Sequence, residues 1–314
     1  MPVQPPPPAT LVDLVAAYAQ TAQAVLELGR SCRAEDFARH TECPGWTVQD
    51  QLSHVTALEA LFAGEPEPPV ELPELAHVGS DLARFMERGV HARRSWTGSE
   101  VVAELADLLP RRLATLADPS LTLDSVIDST IGARPAGAFL ALRVRDIWCH
   151  EQDLRVALGR PLALSTPGAS HFTAGVLAAV PAILAREVHA PVGTSVAVEV
   201  TGPVSGTVFA RVEAGRGGIP RGVEVAPGDV ASVAVASAES ALGDVASAEP
   251  ALGDVASAES ASVDSSRTDA TITLSTEAFT RRGAGRRSVQ DTPHKATGDL
   301  DLARAVLAHL AVTP

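Results

Sequence analysis

The chain has 314 residues, with 46% hydrophobic and 20% charged residues and a formal net charge of −13. That length is enough for two buried cores. The acidic balance argues against a nucleic-acid partner, which requires a basic face to neutralise phosphates. Three cysteines without C-x-x-C spacing fit a reduced, cytoplasmic setting. No basic-then-apolar leader and no run near the ~20 apolar residues of a span is read, so a membrane role is not expected.

In chain order, the Pro-rich residues 1–9 read as a disordered or extended leader. Thr10-x-x-Asp13 then caps a first helix running to about Gly29. The turn Cys43-Pro44-Gly45-Trp46 delivers a second helix, capped by Thr47-x-x-Asp50 and striped by Val48, Leu52, Val55, Leu58 and Phe62. His54 flanks that stripe and Glu59 falls inside it, so the region is rich in candidate ligands. A lone histidine there is also compatible with an ordinary core residue. A third helix covers about 80–95 with Leu82, Phe85, Met86 and Val90 inward. A fourth follows Thr97-x-x-Glu100 and stops near Asp118-Pro119.

The next helix holds the most informative stretch, Arg143 to Leu154. Helical spacing puts Arg143, Asp146, His150 and Asp153 on one face, together with Phe139 and Leu154. Ionisable groups in an apolar stripe are costly unless satisfied. A divalent metal on Asp146 and His150 would satisfy them, and so would a structural ion pair of Arg143 with Asp146. Cys149 points about 100° away from His150 and reads as a buried thiol. Gly159-Arg160-Pro161 ends the helix, and a domain boundary falls near 162.

The second half opens with a helix at about 168–187, followed by strand-like segments 195–201 and 207–212. Residues 228–266 repeat Gly-Asp-Val-Ala-Ser and Ser-Ala-Glu and lack aromatic residues. They read as an acidic low-complexity insertion. A strand at 270–274, a short helix, a strand near 294–297 and a helix capped by Asp299 or Asp301 close the chain. The expected class is α+β: a helical bundle of four long helices, residues 10–162, followed by a smaller α+β domain, residues 163–314.

The Thr41-to-Asp50 stretch with His54, and the later Arg143-x-x-Asp146-x-x-x-His150-x-x-Asp153, resemble the mycothiol-dependent maleylpyruvate isomerase family. Its first domain is a DinB-like bundle. Gly285-Arg286-Arg287 and Gly298-Asp299 are similar to that family's sterol-carrier-like second domain. The resemblance implies a zinc ion held by His54, Asp146 and His150, with an open fourth position typical of catalytic sites. The family's carboxylate is Glu, where this chain carries the shorter Asp146. Asp50 and Asp153 would orient an imidazole N–H.

The open position would receive the thiol of mycothiol. Addition to the cis double bond of maleylpyruvate, rotation and elimination would then give fumarylpyruvate. Arg84, Arg88 or Arg143 would contact the substrate dianion. Two rivals remain: a mycothiol S-transferase acting on another electrophile, and a non-enzymatic module binding a metal or a small ligand. The expected partners are a small thiol and a small electrophilic or dicarboxylate molecule, with the protein a monomer.

Overall fold

The computed structural model describes residues 4–66, 69–127, 132–216, 219–226 and 268–312. The repeat-bearing stretch 228–266 lies outside the described residues.

Local sequence signals start most helices. Helix α1 (Leu11–Arg30) begins at the Thr10/Asp13 capping box, α2 (Val48–Phe62) at Thr47/Asp50 and α4 (Gly98–Leu116) at Thr97/Glu100. In each box the hydroxyl accepts a backbone N–H while the acid accepts the cap residue's own N–H. Ser80 caps the shorter α3 (Asp81–His91). A two-residue ladder of β1 (Val126–Ile127) with β2 (Arg134–Pro135) leads into α5 (Ala136–Ala157). Helix α1 packs along α4 and α5, and α2 packs against α3, α4 and α5. Tyr18, Val25, Leu52, Val55, Leu105, Phe139 and Ile147 close a common core.

Helix α3 departs from its amphipathic reading. Val90 is buried, but Phe85 and Met86 are half-buried and Leu82 is 49% exposed. The apolar face of α3 lines open clefts, not the bundle core.

The second domain begins with α6 (Pro167–Ala182), which continues through wider turns at 183–187. Residues 167–187 are apolar and long enough to cross a membrane, against the expectation that no run qualifies. Phe172, Val176, Val180 and Leu184 are nevertheless buried in the core of this domain. The sheet has the order β5-β4-β3-β6-β7, from β3 (Ser195–Thr201), β4 (Gly206–Ala214), β5 (Pro220–Glu224), β6 (Ala270–Ser275) and β7 (His294–Gly298). Strands β3 and β6 run parallel, and the other neighbours are antiparallel. Helix α7 (Thr276–Gly283) follows β6, and α8 (Leu300–Ala308), capped by Asp299, follows β7. The result is an N-terminal helical domain joined to a C-terminal sheet domain.

The two domains share α5. Val144 and Ile147 belong to the first core, whereas Trp148 and Cys149 belong to the second. A helix that is apolar on opposite faces has to be covered on both. Trp148 stacks on Phe172 of α6 at 5.2 Å, and its Nε1 donates to the Ala163 carbonyl at 3.3 Å. The leader also reaches the second domain. Ser205 N donates to Gln4 Oε1 at 2.8 Å, and Ser170 Oγ donates to the Pro5 carbonyl at 2.6 Å.

Because α5 serves both cores, the domains should unfold together. Trp148→Ala should cost about 3–5 kcal/mol, the range for removing a large buried aromatic. Denaturant unfolding followed by circular dichroism and by fluorescence should give coincident transitions in both proteins. Two separated transitions in the wild type would show that α5 does not couple the cores.

Candidate metal centre and its cleft

The packing of α2 against α5 brings His54 beside Asp146 and His150. One ligand atom from each lies within 4.8 Å of the others. Asp146 Oδ1 is 3.5 Å from His54 Nε2 and 3.4 Å from His150 Nε2, and the two imidazole centroids are 4.5 Å apart. Metal–ligand bonds of about 2.0–2.2 Å in a tetrahedral site place ligand atoms about 3.3–3.6 Å apart. The spacing therefore suits a shared ion better than hydrogen bonds. His54 is 3% exposed, and neither of its ring nitrogens has a hydrogen-bond partner among the described residues. Two neutral imidazoles and one carboxylate, with nothing else in the set, make a donor group that fits a divalent metal with an open position.

Asp146 is fixed from behind. Arg143, on the preceding turn of α5, donates through Nη1 to Asp146 Oδ2 and through Nη2 to Glu59 Oε1 at 2.6 Å. Glu59 is fully buried and also accepts from the Tyr18 hydroxyl and from Arg112 Nε, the latter at 3.2 Å. The ion-pair reading of Arg143 and the ligand reading of Asp146 are thus compatible: one carboxylate oxygen serves each. Burial alone would raise the Asp146 pKa, but Arg143 and then His54 hold it well below the usual carboxylate range. Arg143 is 2% exposed and does not line either cleft beside the cluster, so its guanidinium is committed to these carboxylates.

His150 is oriented through its other nitrogen. Nδ1 meets Gln51 Oε1, and Asp153 Oδ2 stands 3.6 Å away. Gln51 Nε2 donates to Asp153 Oδ2 at 3.2 Å and to Thr41 Oγ1 at 3.0 Å. Asp153 is in turn clamped from the second domain by Arg281 Nη2 at 2.5 Å and by Arg286 Nε at 3.0 Å. Arg281 also pairs with Glu42. Burial works against a charged His150, yet the Asp146 and Asp153 carboxylates facing its two nitrogens raise its pKa on balance. His54 has Asp146 alone to favour its charged form; burial, then the adjacent His150, outweighs it and lowers the pKa to about 4. The sequence reading missed Gln51: its i,i+3 spacing puts it on the His54 side of α2, but its partner His150 lies across a helix crossing.

Asp50 stands outside this set. It caps α2 by accepting from Thr47, and its other oxygen accepts from Arg94 Nε at 3.0 Å.

A cleft of about 240 Å³ opens beside the cluster. Pro44, Trp46, Val78, Leu82, Ala83 and Met86 form its apolar wall, and Arg286 reaches its edge. The Trp46 ring lies 5.0 Å from His54 and 5.7 Å from His150. Its Nε1 donates to Glu87 at 2.9 Å, which also meets His77 at 3.1 Å and Arg94 at 2.7 Å. Gly45 has φ +79°, and a Cβ there would come within 2.3 Å of His77 Nδ1, so the turn needs glycine twice over. Arg84 and Arg88 are not among the cleft residues; Arg84 is exposed and Arg88 half-buried. A helical wheel of α3 does not reveal which face meets the cleft. Cys43 lines the cleft, but burial pushes its thiol up to about 11; Cys149 is buried and shifted upward for the same reason.

Residues 5–155, a span holding all three clustered side chains, match the family model of the mycothiol maleylpyruvate isomerase N-terminal domain. None of the curated proteins matches the chain. Two crystal structures share the fold, one of the mycothiol-dependent maleylpyruvate isomerase and one of its histidine-to-alanine mutant. Each is 12% identical with a TM-score of 0.50; they cover 92% and 91% of this chain, and 93% of each is covered in return. Residues 5–155 are thus an N-terminal domain of the mycothiol maleylpyruvate isomerase type.

Proposed function

We propose that this protein is a zinc-dependent enzyme that activates mycothiol and adds it to an electrophilic double bond, with isomerisation of maleylpyruvate as the leading reaction. The observation that carries the proposal is the buried His54–Asp146–His150 set bordering a cleft, with an orphaned imidazole aimed at the shared carboxylate. Zinc bound there supplies a Lewis acid that keeps a thiol ionised near neutral pH.

The chain's own residues do the rest. Arg143 and Glu59 fix Asp146, and Gln51 and Asp153 fix His150, so that the ligands do not have to reorganise when the metal arrives. Trp46 covers both imidazoles, and the apolar wall from Pro44 to Met86 keeps bulk water from the reacting carbon.

A second reading, transfer of mycothiol to an uncharged electrophile, is favoured by one specific observation. The cleft's arginine, Arg286, is already paired with Asp153, and Arg84, Arg88 and Arg143 do not line the cleft. A dianion would find few available cations there.

Metal analysis of the purified protein should give near-stoichiometric zinc, and His54→Ala with His150→Ala should abolish it while the fold persists. Full metal content in that double variant would falsify the site. Arg143→Met should lower metal affinity by tenfold or more, because Asp146 loses its anchor.

Metal binding requires neutral imidazoles. His150, whose pKa is raised, sets the acid limit, so affinity should fall about tenfold per pH unit below that pKa. His54, at about 4, adds a second proton only in stronger acid. Isothermal titration across pH checks the slope.

Conversion of maleylpyruvate should require mycothiol and fail with glutathione or with no thiol. Thiol-independent turnover would overturn the mechanism, and mycothiol conjugation of other electrophiles without isomerisation would select the second reading.

A further inference from the structure

A second pocket, about 130 Å³, opens between α2, α3 and α4. It shares His54 and Met86 with the cleft described above, so the two lie on either side of a common wall. Its remaining apolar lining includes Leu58, Leu61, Phe85, Ala92 and Trp96.

The charged residues around it are already satisfied. Arg93 is 3% exposed, donates to Glu104 at 2.7 Å and to the Gly89 carbonyl at 3.0 Å, and lies 5.5 Å over the Trp96 ring. Glu65 accepts from Arg111 at 2.7 Å. Of the lining residues, only His54 keeps buried side-chain polar atoms without a partner among the described residues. A polar or charged guest would therefore lose its hydration and find few partners. An apolar guest loses nothing. An apolar cavity of about 150 Å³ accepts a benzene-sized molecule, so this one suits a short alkyl chain or a single small ring. Met86 is a flexible partition, since its unbranched side chain moves between rotamers at little cost.

We propose that this pocket receives the apolar tail of the electrophile that the thiol attacks, and so selects uncharged α,β-unsaturated carbonyl compounds carrying a short alkyl chain or one ring. This rests on the thiol-addition reading above, in its transfer form. In that step a sulphur–carbon bond forms at the β carbon and the alkene π pair moves onto the carbonyl oxygen as an enolate. The thiol proton then ends on the α carbon; nothing is oxidised and no group leaves.

Two experiments on the zinc-loaded full chain test the pocket and the reaction separately. In the first, an unreactive ring ketone, cyclohexanone, is titrated by ligand-observed NMR without any thiol. The wild type should bind it, and Leu61→Trp and Ala92→Phe, which add bulk at half-buried lining positions, should each weaken binding at least tenfold. No binding to the wild type, or equal binding by all three folded proteins, overturns the pocket.

In the second, kcat/KM for mycothiol conjugation is measured for crotonaldehyde and its chain-extended homologues. It should rise about fourfold per added methylene until the pocket is full, with the rise lost in the two variants. A flat series in the wild type overturns the selectivity. Cyclohexanone binding as expected with no aldehyde conjugated overturns the thiol-transfer reaction and leaves the pocket standing.

Discussion

The site depends on one buried guanidinium. Arg143 lies between Glu59, fully buried on α2, and Asp146, one turn further along α5, and it ties the two helices together at the level of the His54–Asp146–His150 cluster. A buried ion pair of this kind is poor evidence for stability, because desolvation offsets most of the Coulombic gain. Apolar residues of similar volume would serve the bundle at least as well. What they would not do is hold a carboxylate with one oxygen occupied and the other presented to two imidazoles. The short reach of Asp146 makes that anchoring more important: a short side chain has to be positioned mainly by its backbone and its partner.

The same logic extends to the second domain. Asp153 and Gln51 orient His150, and Asp153 is itself held by Arg281 and Arg286 from the far side of the domain interface. The geometry of the His54–Asp146–His150 cluster is therefore not a property of the helical domain alone. The chain from His150 through Asp153 to the arginines links the orientation of His150 to domain docking, and the shared helix α5 contributes Trp148 to one core and Ile147 to the other.

How far the sequence revealed this follows the range of each interaction. Capping boxes at Thr10, Thr47 and Thr97 are written within four residues, and they placed the helix starts correctly. The Asp146/His150 pair is likewise local, one turn of one helix. His54 required a family resemblance, because nothing local says that α2 meets α5 at that level. Gln51, Arg281 and Arg286 act across helix crossings and a domain interface, 99 to 133 residues apart in some contacts, and no periodicity encodes such distances. Arg84 and Arg88 were expected at the substrate for a related reason. Position on a helix fixes which residues share a face, while the packing of neighbouring helices decides what that face meets. Leu82 shows the same limit: its apolar spacing predicted a core contact, and it lines the cleft instead.

Charge balance gives the arrangement its chemical direction. Glu59 and Asp146 are matched by Arg112 and Arg143, and Glu42 and Asp153 by Arg281 and Arg286. The protein around the cluster is thus close to neutral before any ion binds. A divalent cation held by His54, His150 and the already paired Asp146 would bring positive charge that the surroundings do not cancel. In a cleft walled by Pro44, Trp46, Val78, Leu82, Ala83 and Met86, water screens that charge poorly. An anionic sulphur beside it would cancel half of that charge, whereas a neutral thiol would cancel none. With a cation in place, the matched arginines that secure Asp146 and His150 would therefore also favour a thiolate over a neutral thiol.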